Sequence, residues 1–142
     1  MTRHEAVVEH RKMWTWIKEQ LERMTEEESK RIYIFLLKKS YINDNRKEIT
    51  KKYGVNIIKE IKYSYCFLCC YARLLSGEIK RDCICDYCPV KVAKDDKKGF
   101  ECLGGLYAQT ETHNSLETRI KAARAISELP ENESIKDIDI VF

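Results

Sequence analysis

Two CxxC pairs constrain this chain more than any other feature. Cys66-Phe-Leu-Cys69 and Cys85-Asp-Tyr-Cys88 stand with fifteen residues between them, and all seven cysteines lie between positions 66 and 102. A CxxC turn presents two sulfurs to one point, and two such turns at this separation match the two-knuckle pattern of a structural zinc site. The spacing predicts that Cys66, Cys69, Cys85 and Cys88 hold one zinc ion, with Cys102 as the alternative ligand. Four protein ligands leave no position open for water, so such an ion is structural rather than catalytic. Cys70 and Cys83 read as small buried apolar side chains, as does Cys102 if it is not a ligand. A second metal on Cys70, Cys83, Cys102 and His113 would follow no recognised ligand spacing.

The alternatives for so many thiols are weaker. The N-terminal stretch lacks the layout of a signal peptide, and no apolar run approaches the roughly 20 residues of a membrane span. A cytoplasmic chain in a reducing compartment is therefore expected, where disulfides are rare. A redox CxxC would be expected beside a βαβ pattern, and none is legible. The histidines, His4, His10 and His113, stand in no recognisable catalytic context, and there is neither a phosphate-binding glycine loop nor HExxH. No enzyme activity and no small-molecule substrate are expected.

With 142 residues, five glycines and two prolines, the chain has few helix breakers and reads as one mainly α domain. Its parts are N-terminal helices over 1–63, a small irregular zinc-knuckle or zinc-ribbon-like module over 64–107, a helix over 114–129 and a tail over 130–142. Val7, Trp14, Ile17, Leu21 and Met24 form an apolar stripe on a helix over 4–24, broken by Arg11. Trp16 falls off that stripe and reads as the cap of a core edge. Thr25 and Glu28 form a capping-box signature for a second helix running toward Tyr41. A third helix over about 45–53 should end at Gly54. Residues 55–65 read as an irregular or partly helical connector. Asn114 or Ser115 caps the last helix, whose stripe is Leu116, Ile120, Ala123 and Ile126, and Pro130 stops it. The tail either adds a short strand or lies on the body.

Charge is uneven. Residues 30–63 carry ten basic and three acidic groups, a balance of +7 within a chain whose formal net charge is +3. Lys38, Lys39, Lys47, Lys51 and Lys52 in this quarter form the candidate binding surface. Tyr33, Tyr41, Tyr53, Tyr63 and Tyr65 interleave with its lysines, as in some single-strand binders. The plainer reading is solvated lysines with core tyrosines between them. Lysine outnumbers arginine here, whereas arginine suits bidentate phosphate or base contacts.

The stretches EHRKMWTWI near the start, CFLCCYA at 66–72, CDYCPV at 85–90 and CLGGLY at 102–107 resemble small cysteine-cluster proteins encoded by phages and prophages of Gram-positive bacteria. The shared cysteines would be Cys66, Cys69, Cys85, Cys88 and Cys102. The sequence departs at Cys70, where the family has an acidic residue, and at Cys83, which is extra; these departures leave the ligand choice open. The resemblance implies a phage accessory protein in the cytoplasm of a bacterial host. It would bind a host or phage protein, for instance an anti-phage defence factor in the manner of an anti-CRISPR. The alternative is a zinc-containing nucleic-acid-binding or transcription-regulatory protein.

Overall fold

The computed structural model describes residues 1–77, 85–92 and 102–142, other than the side chains of Cys85 and Gly104. Cys83, the charged loop at 94–99 and Phe100 lie outside the described residues. The architecture is mainly helical, with almost no strand.

Helix α1 spans Arg3–Glu22. Thr2 and Glu5 start it with a reciprocal capping box: Thr2 Oγ1 accepts the Glu5 N–H at 3.1 Å and Glu5 accepts the Thr2 N–H at 2.8 Å. Its buried face is Val7, His10, Met13, Trp14, Ile17 and Leu21, with His10 as buried as its apolar neighbours. Trp16 is half-buried and its ring meets that of Tyr41 at 5.6 Å, at the edge of the core.

The single helix expected from Thr25 toward Tyr41 is two. The capping box is present, but α2 covers only Glu26–Ser29, and α3 begins again at Ile34–Asp44. The break has a physical cause. Arg119 is fully buried, and its guanidinium donates to the carbonyls of Ser29 (Nη1) and Ile32 (Nη2, 2.6 Å), while Nε donates to Thr110 at 2.7 Å. The chain between α2 and α3 turns its carbonyls to this cation instead of continuing the helical ladder.

Helix α4, Arg46–Tyr53, ends at Gly54 as expected. There φ is +92°, and a Cβ would stand 2.8 Å from the Phe142 carbonyl oxygen, so glycine answers both conformation and space. The connector is partly helical: α5 spans Asn56–Ile61 and gives way to turns. Helix α6, Phe67–Ser76, then carries the first CxxC into the core and stops at left-handed Gly77. The expected irregular module is thus regular at its start, with Cys66 as the N-cap of a ten-residue helix. Single 3-10 turns occupy Cys85–Tyr87 and Cys102–Gly105, followed by α7, Leu106–Gln109.

Helix α8, Leu116–Ser127, is capped by Ser115 and packs along α1. Arg11, the break in the α1 stripe, donates to Leu129 O at 3.0 Å, just past the end of α8. A basic side chain there suits the negative end of the helix dipole. The tail lies on the body: Tyr71 Oη accepts the Ile138 N–H at 2.9 Å and contacts the Lys136 carbonyl at 2.9 Å. An isolated antiparallel bridge joins Val90 to Glu131.

Glu131 ties the tail to α1, meeting Arg3 Nε at 2.8 Å and His4 Nδ1 at 2.9 Å. Burial disfavours its charge, but His4 and Arg3 outweigh that and hold its pKa below the usual carboxylate range. A depressed folded pKa means that the unfolded chain binds the proton more readily. The stabilisation is complete above the ordinary value of about 4.3 and is lost as pH falls through the folded value. Urea midpoints measured from pH 6 to pH 3 should therefore fall less steeply in Glu131→Gln than in the unmodified protein. Parallel curves would remove this role.

Candidate metal centre

Cys66 takes its place because an extended N-cap residue turns its side chain onto the first turn of α6. Its sulfur accepts the Cys69 N–H at 3.5 Å, and the side chain is almost fully buried. The Cys69 thiol bonds to the same sulfur, which lowers the Cys66 pKa well below the ordinary thiol range. His10 and the Lys38 ammonium act in the same direction, against burial. Cys69 is driven the opposite way, first by the proton it gives to Cys66, then by burial and by the charges of Cys66, Cys102 and Cys88. Four thiols, Cys66, Cys69, Cys88 and Cys102, are thus gathered within electrostatic reach of Cys69. Their exposure is graded: Cys66 is buried, Cys69 and Cys88 are half-buried and Cys102 is exposed.

The remaining predicted ligand, Cys85, has its backbone in the 3-10 turn that presents Cys88, while its side chain is outside the described residues. Among the described residues, no three metal-binding side chains converge tightly enough to form a ready coordination shell. The donor chemistry nevertheless suits zinc: soft thiolates, partly shielded from water, with one already favoured in its ionised form. Cys70 is separate. It is buried on the core side of α6, and burial pushes its thiol up to about 12, as befits an inert packing residue.

Two residues beside the cluster have unusual backbones. Tyr65, just before Cys66, has φ of +47°, and Leu103, just after Cys102, has φ of +56°. Each left-handed non-glycine residue costs about 1–2 kcal/mol.

Three further groups surround the thiols, and periodicity alone did not mark them as part of the site. His10 on α1 lies beside the Cys66 sulfur, its Nε2 is 3.3 Å from Ile126 O, and its Nδ1 is buried without a well-formed hydrogen bond. Tyr107, whose ring stands edge-on to Trp14 at 6.1 Å, has its hydroxyl pushed up to about 12 by burial and by nearby negative charge, Glu111 and the thiolates included. Lys38 is the third. It is only 5% exposed, donates to Ser64 O at 2.8 Å and sits 5.1 Å over the Tyr107 ring. No carboxylate lies within ion-pair distance of it among the described residues. Lys38 therefore does not lie on the exposed surface expected of it: its ammonium is buried against Ser64 O and the Tyr107 ring.

The other four candidate lysines are exposed. Lys52 is nonetheless engaged, 3.3 Å from buried Glu9, which also accepts from Tyr53 Oη at 3.1 Å. Lys39, Lys47 and Lys51 project from α3 and α4 into solvent. Of the interleaved tyrosines, Tyr41 and Tyr53 are core residues, while Tyr33 and Tyr63 are 57% and 70% exposed. No described helix is long and apolar enough to cross a membrane. Comparison of the chain with family models, with curated proteins and with solved structures found no match.

Proposed function

We propose that this is a zinc-stapled helical protein that acts by binding another macromolecule, most simply a protein, and that it performs no chemistry of its own. The observation that carries the reading is an apolar patch next to the cysteine region. Phe35 and Leu36 on α3 are 49% and 46% exposed, and the Phe35 ring meets Tyr65 at 5.1 Å. Tyr63 follows in the same turn, with the Arg73 guanidinium 4.9 Å over its ring. Large exposed aromatics with an arginine are what the centre of a protein interface is made of. Lys39, Lys59 and Lys62 stand nearby in sequence and are exposed, forming a basic surround suited to an acidic partner. The sulfurs supply rigidity behind this face.

A role as a phage accessory protein that inhibits a host anti-phage defence complex rests on the resemblance carried by EHRKMWTWI near the start and by the motifs at 66–72, 85–90 and 102–107. Nucleic-acid binding is the second reading, favoured by the +7 balance of residues 30–63. Against it, Tyr41 and Tyr53 are buried and Arg73 covers one face of the Tyr63 ring, which reduces the platforms for base stacking.

The test is a pull-down from host lysate with the unmodified chain and with a Phe35→Ser, Tyr63→Ser double variant. A protein captured by the first and lost with the second, at unchanged helical circular dichroism, is expected. Capture of nucleic acid that weakens steeply with salt would favour the second reading. No specific capture of either kind would sink both.

A further inference from the structure

The exposed aromatic face beside α3 has a charge pattern and a backbone setting that narrow what can sit on it. On α3 the buried positions are Ile34, Leu37, Lys38, Tyr41 and Ile42, which leaves Phe35, Leu36 and Lys39 on the outward side. On α5 the buried positions are Ile57, Ile58 and Ile61, and Lys59 stands outward with Lys62, three residues on, at the end of the helix. The two elements are fastened to each other. Phe35 meets the Tyr65 ring at 5.1 Å and Lys38 donates to Ser64 O at 2.8 Å, so the turn over 63–65 lies against α3, with Tyr63 exposed at its start.

The positive charge of this face is unanswered. Residues 30–63 hold three carboxylates, Asp44, Glu48 and Glu60. Glu60 is engaged by Arg73, Asp44 is the last residue of α3, and Glu48 lies on α4. Among the described residues, Lys39, Lys59 and Lys62 have no carboxylate within ion-pair distance. Arg73 is half-buried between Glu60 and the Tyr63 ring, so one edge of the aromatic face is already ordered.

Two kinds of occupant fit poorly. A second copy of the chain, docked about a two-fold axis, sets the patch against itself and brings lysines against lysines, which costs binding energy. An extended peptide adds itself to a sheet edge, and among the described residues there is only an isolated bridge and no strand to extend. Recognition then passes through side chains, and those on offer are apolar groups flanked by cations. We infer that this face takes an acidic amphipathic helix of another protein. Its apolar stripe, with residues three and four apart, covers Phe35, Leu36 and Tyr63, and its flanking Asp and Glu side chains meet Lys39, Lys59 and Lys62. The inference rests on the protein-binding reading and adds the chemistry of the partner. Charge steers the encounter and fixes orientation, while the aromatic contacts set the residence time.

The experiment is selection of random peptides of about 20 residues, long enough for several helical turns, for binding to the folded full chain on a display library. Expected are peptides of net negative charge with apolar residues at helical spacing, helical by circular dichroism when bound. Their affinity should fall by about 30-fold or more in the Phe35→Ser, Tyr63→Ser double variant, the loss expected for a hot spot. Two readouts need no variant to fold. On the unmodified protein, replacing Asp and Glu of a selected peptide by Asn and Gln should weaken binding by about tenfold, and raising salt from about 0.05 to 0.5 M should do the same. Peptides that need the patch but carry no acidic bias, peptides that bind without helix, or patch-dependent dimers of the chain in sedimentation would overturn the acidic helix and leave the protein-binding reading standing. A patch that selects no peptide would overturn both, as would its binding to phosphatidylglycerol vesicles or single-stranded DNA in place of peptide.

Discussion

Replacing Arg119 with alanine is expected to lower the unfolding free energy by about 3–5 kcal/mol, the range for removing one partner from a buried charged interaction. The guanidinium joins three carbonyls from two places in the chain: Ser29 and Ile32 at the break between α2 and α3, and Thr110 just past α7. Burial lowers the pKa of this arginine, in keeping with a cation that has given up water for backbone oxygens. Truncation leaves those oxygens buried and unpaired, at about 1–3 kcal/mol for each that water cannot reach. It also removes the reason for the break between α2 and α3. Arg119→Lys keeps the charge but loses the planar fork, and about 2 kcal/mol should still be lost. Urea denaturation of the three proteins measures this. Limited trypsin digestion should show faster cleavage after Lys30 and Arg31 in the variants. A cost below about 1 kcal/mol for Arg119→Ala, within the net worth of a single ordinary hydrogen bond, would show that the three contacts do not hold this corner together.

On the zinc reading proposed above, stripping the metal with excess chelator is the second large expected effect. Binding is worth roughly 10–16 kcal/mol in zinc-finger peptides, comparable with the whole stability of a domain, about 5–15 kcal/mol. Here α1, α3 and α8 share a core of their own, so complete unfolding is not the expected outcome. The strained backbone at Tyr65 and Leu103 and the gathered thiols should relax, with the melting temperature falling by about 10 °C or more, the shift that several kcal/mol produces in a chain of this size. Cys66→Ala and Cys69→Ala should reproduce that fall without chelator, whereas Cys70→Ala should show no chelator-like loss of metal. Thermal melts with matched metal analysis decide it: a protein purified without zinc, or indifferent to its removal, would end the structural-metal reading.

Much of the fold was legible from local chemistry. The caps at Thr25 and Ser115 are side-chain to backbone contacts three residues apart, so the residues that make them are neighbours in the sequence; the cap at Thr2 is of the same kind but was not read from the sequence. Gly54 and Pro130 end their helices for reasons contained in a single residue. The apolar stripes of α1 and α8 are written in the 3.6-residue period. The split between α2 and α3 was not legible, because Thr25–Tyr41 carries good helical periodicity and the reason to interrupt it stands ninety residues away at Arg119. The candidate surface was only half legible. Lysine at positions 38, 39, 47, 51 and 52 looks the same in sequence, yet Lys38 is nearly sealed from water and Lys39 is not.

The sulfur cluster divides along the same line. The two CxxC pairs, and with them the expectation of a metal, follow from spacing alone, because ligands on one turn are placed by local geometry. His10, Lys38 and Arg119 were visible only as polar residues standing at positions where their helices turn inward. His10 falls between Val7 and Trp14, Lys38 between Ile34 and Tyr41, and Arg119 between Leu116 and Ala123 or Ile126. A periodic pattern identifies such a residue as buried but says nothing about why burial is tolerable. The answer lies in partners that the chain brings together only by folding: Ile126 for His10, Ser64 and the Tyr107 ring for Lys38, and Ser29, Ile32 and Thr110 for Arg119. Local propensity determined the helices and the thiol pairs, while packing between distant segments decided which buried polar groups are satisfied and that, among the described residues, His10 Nδ1 is left without a hydrogen bond.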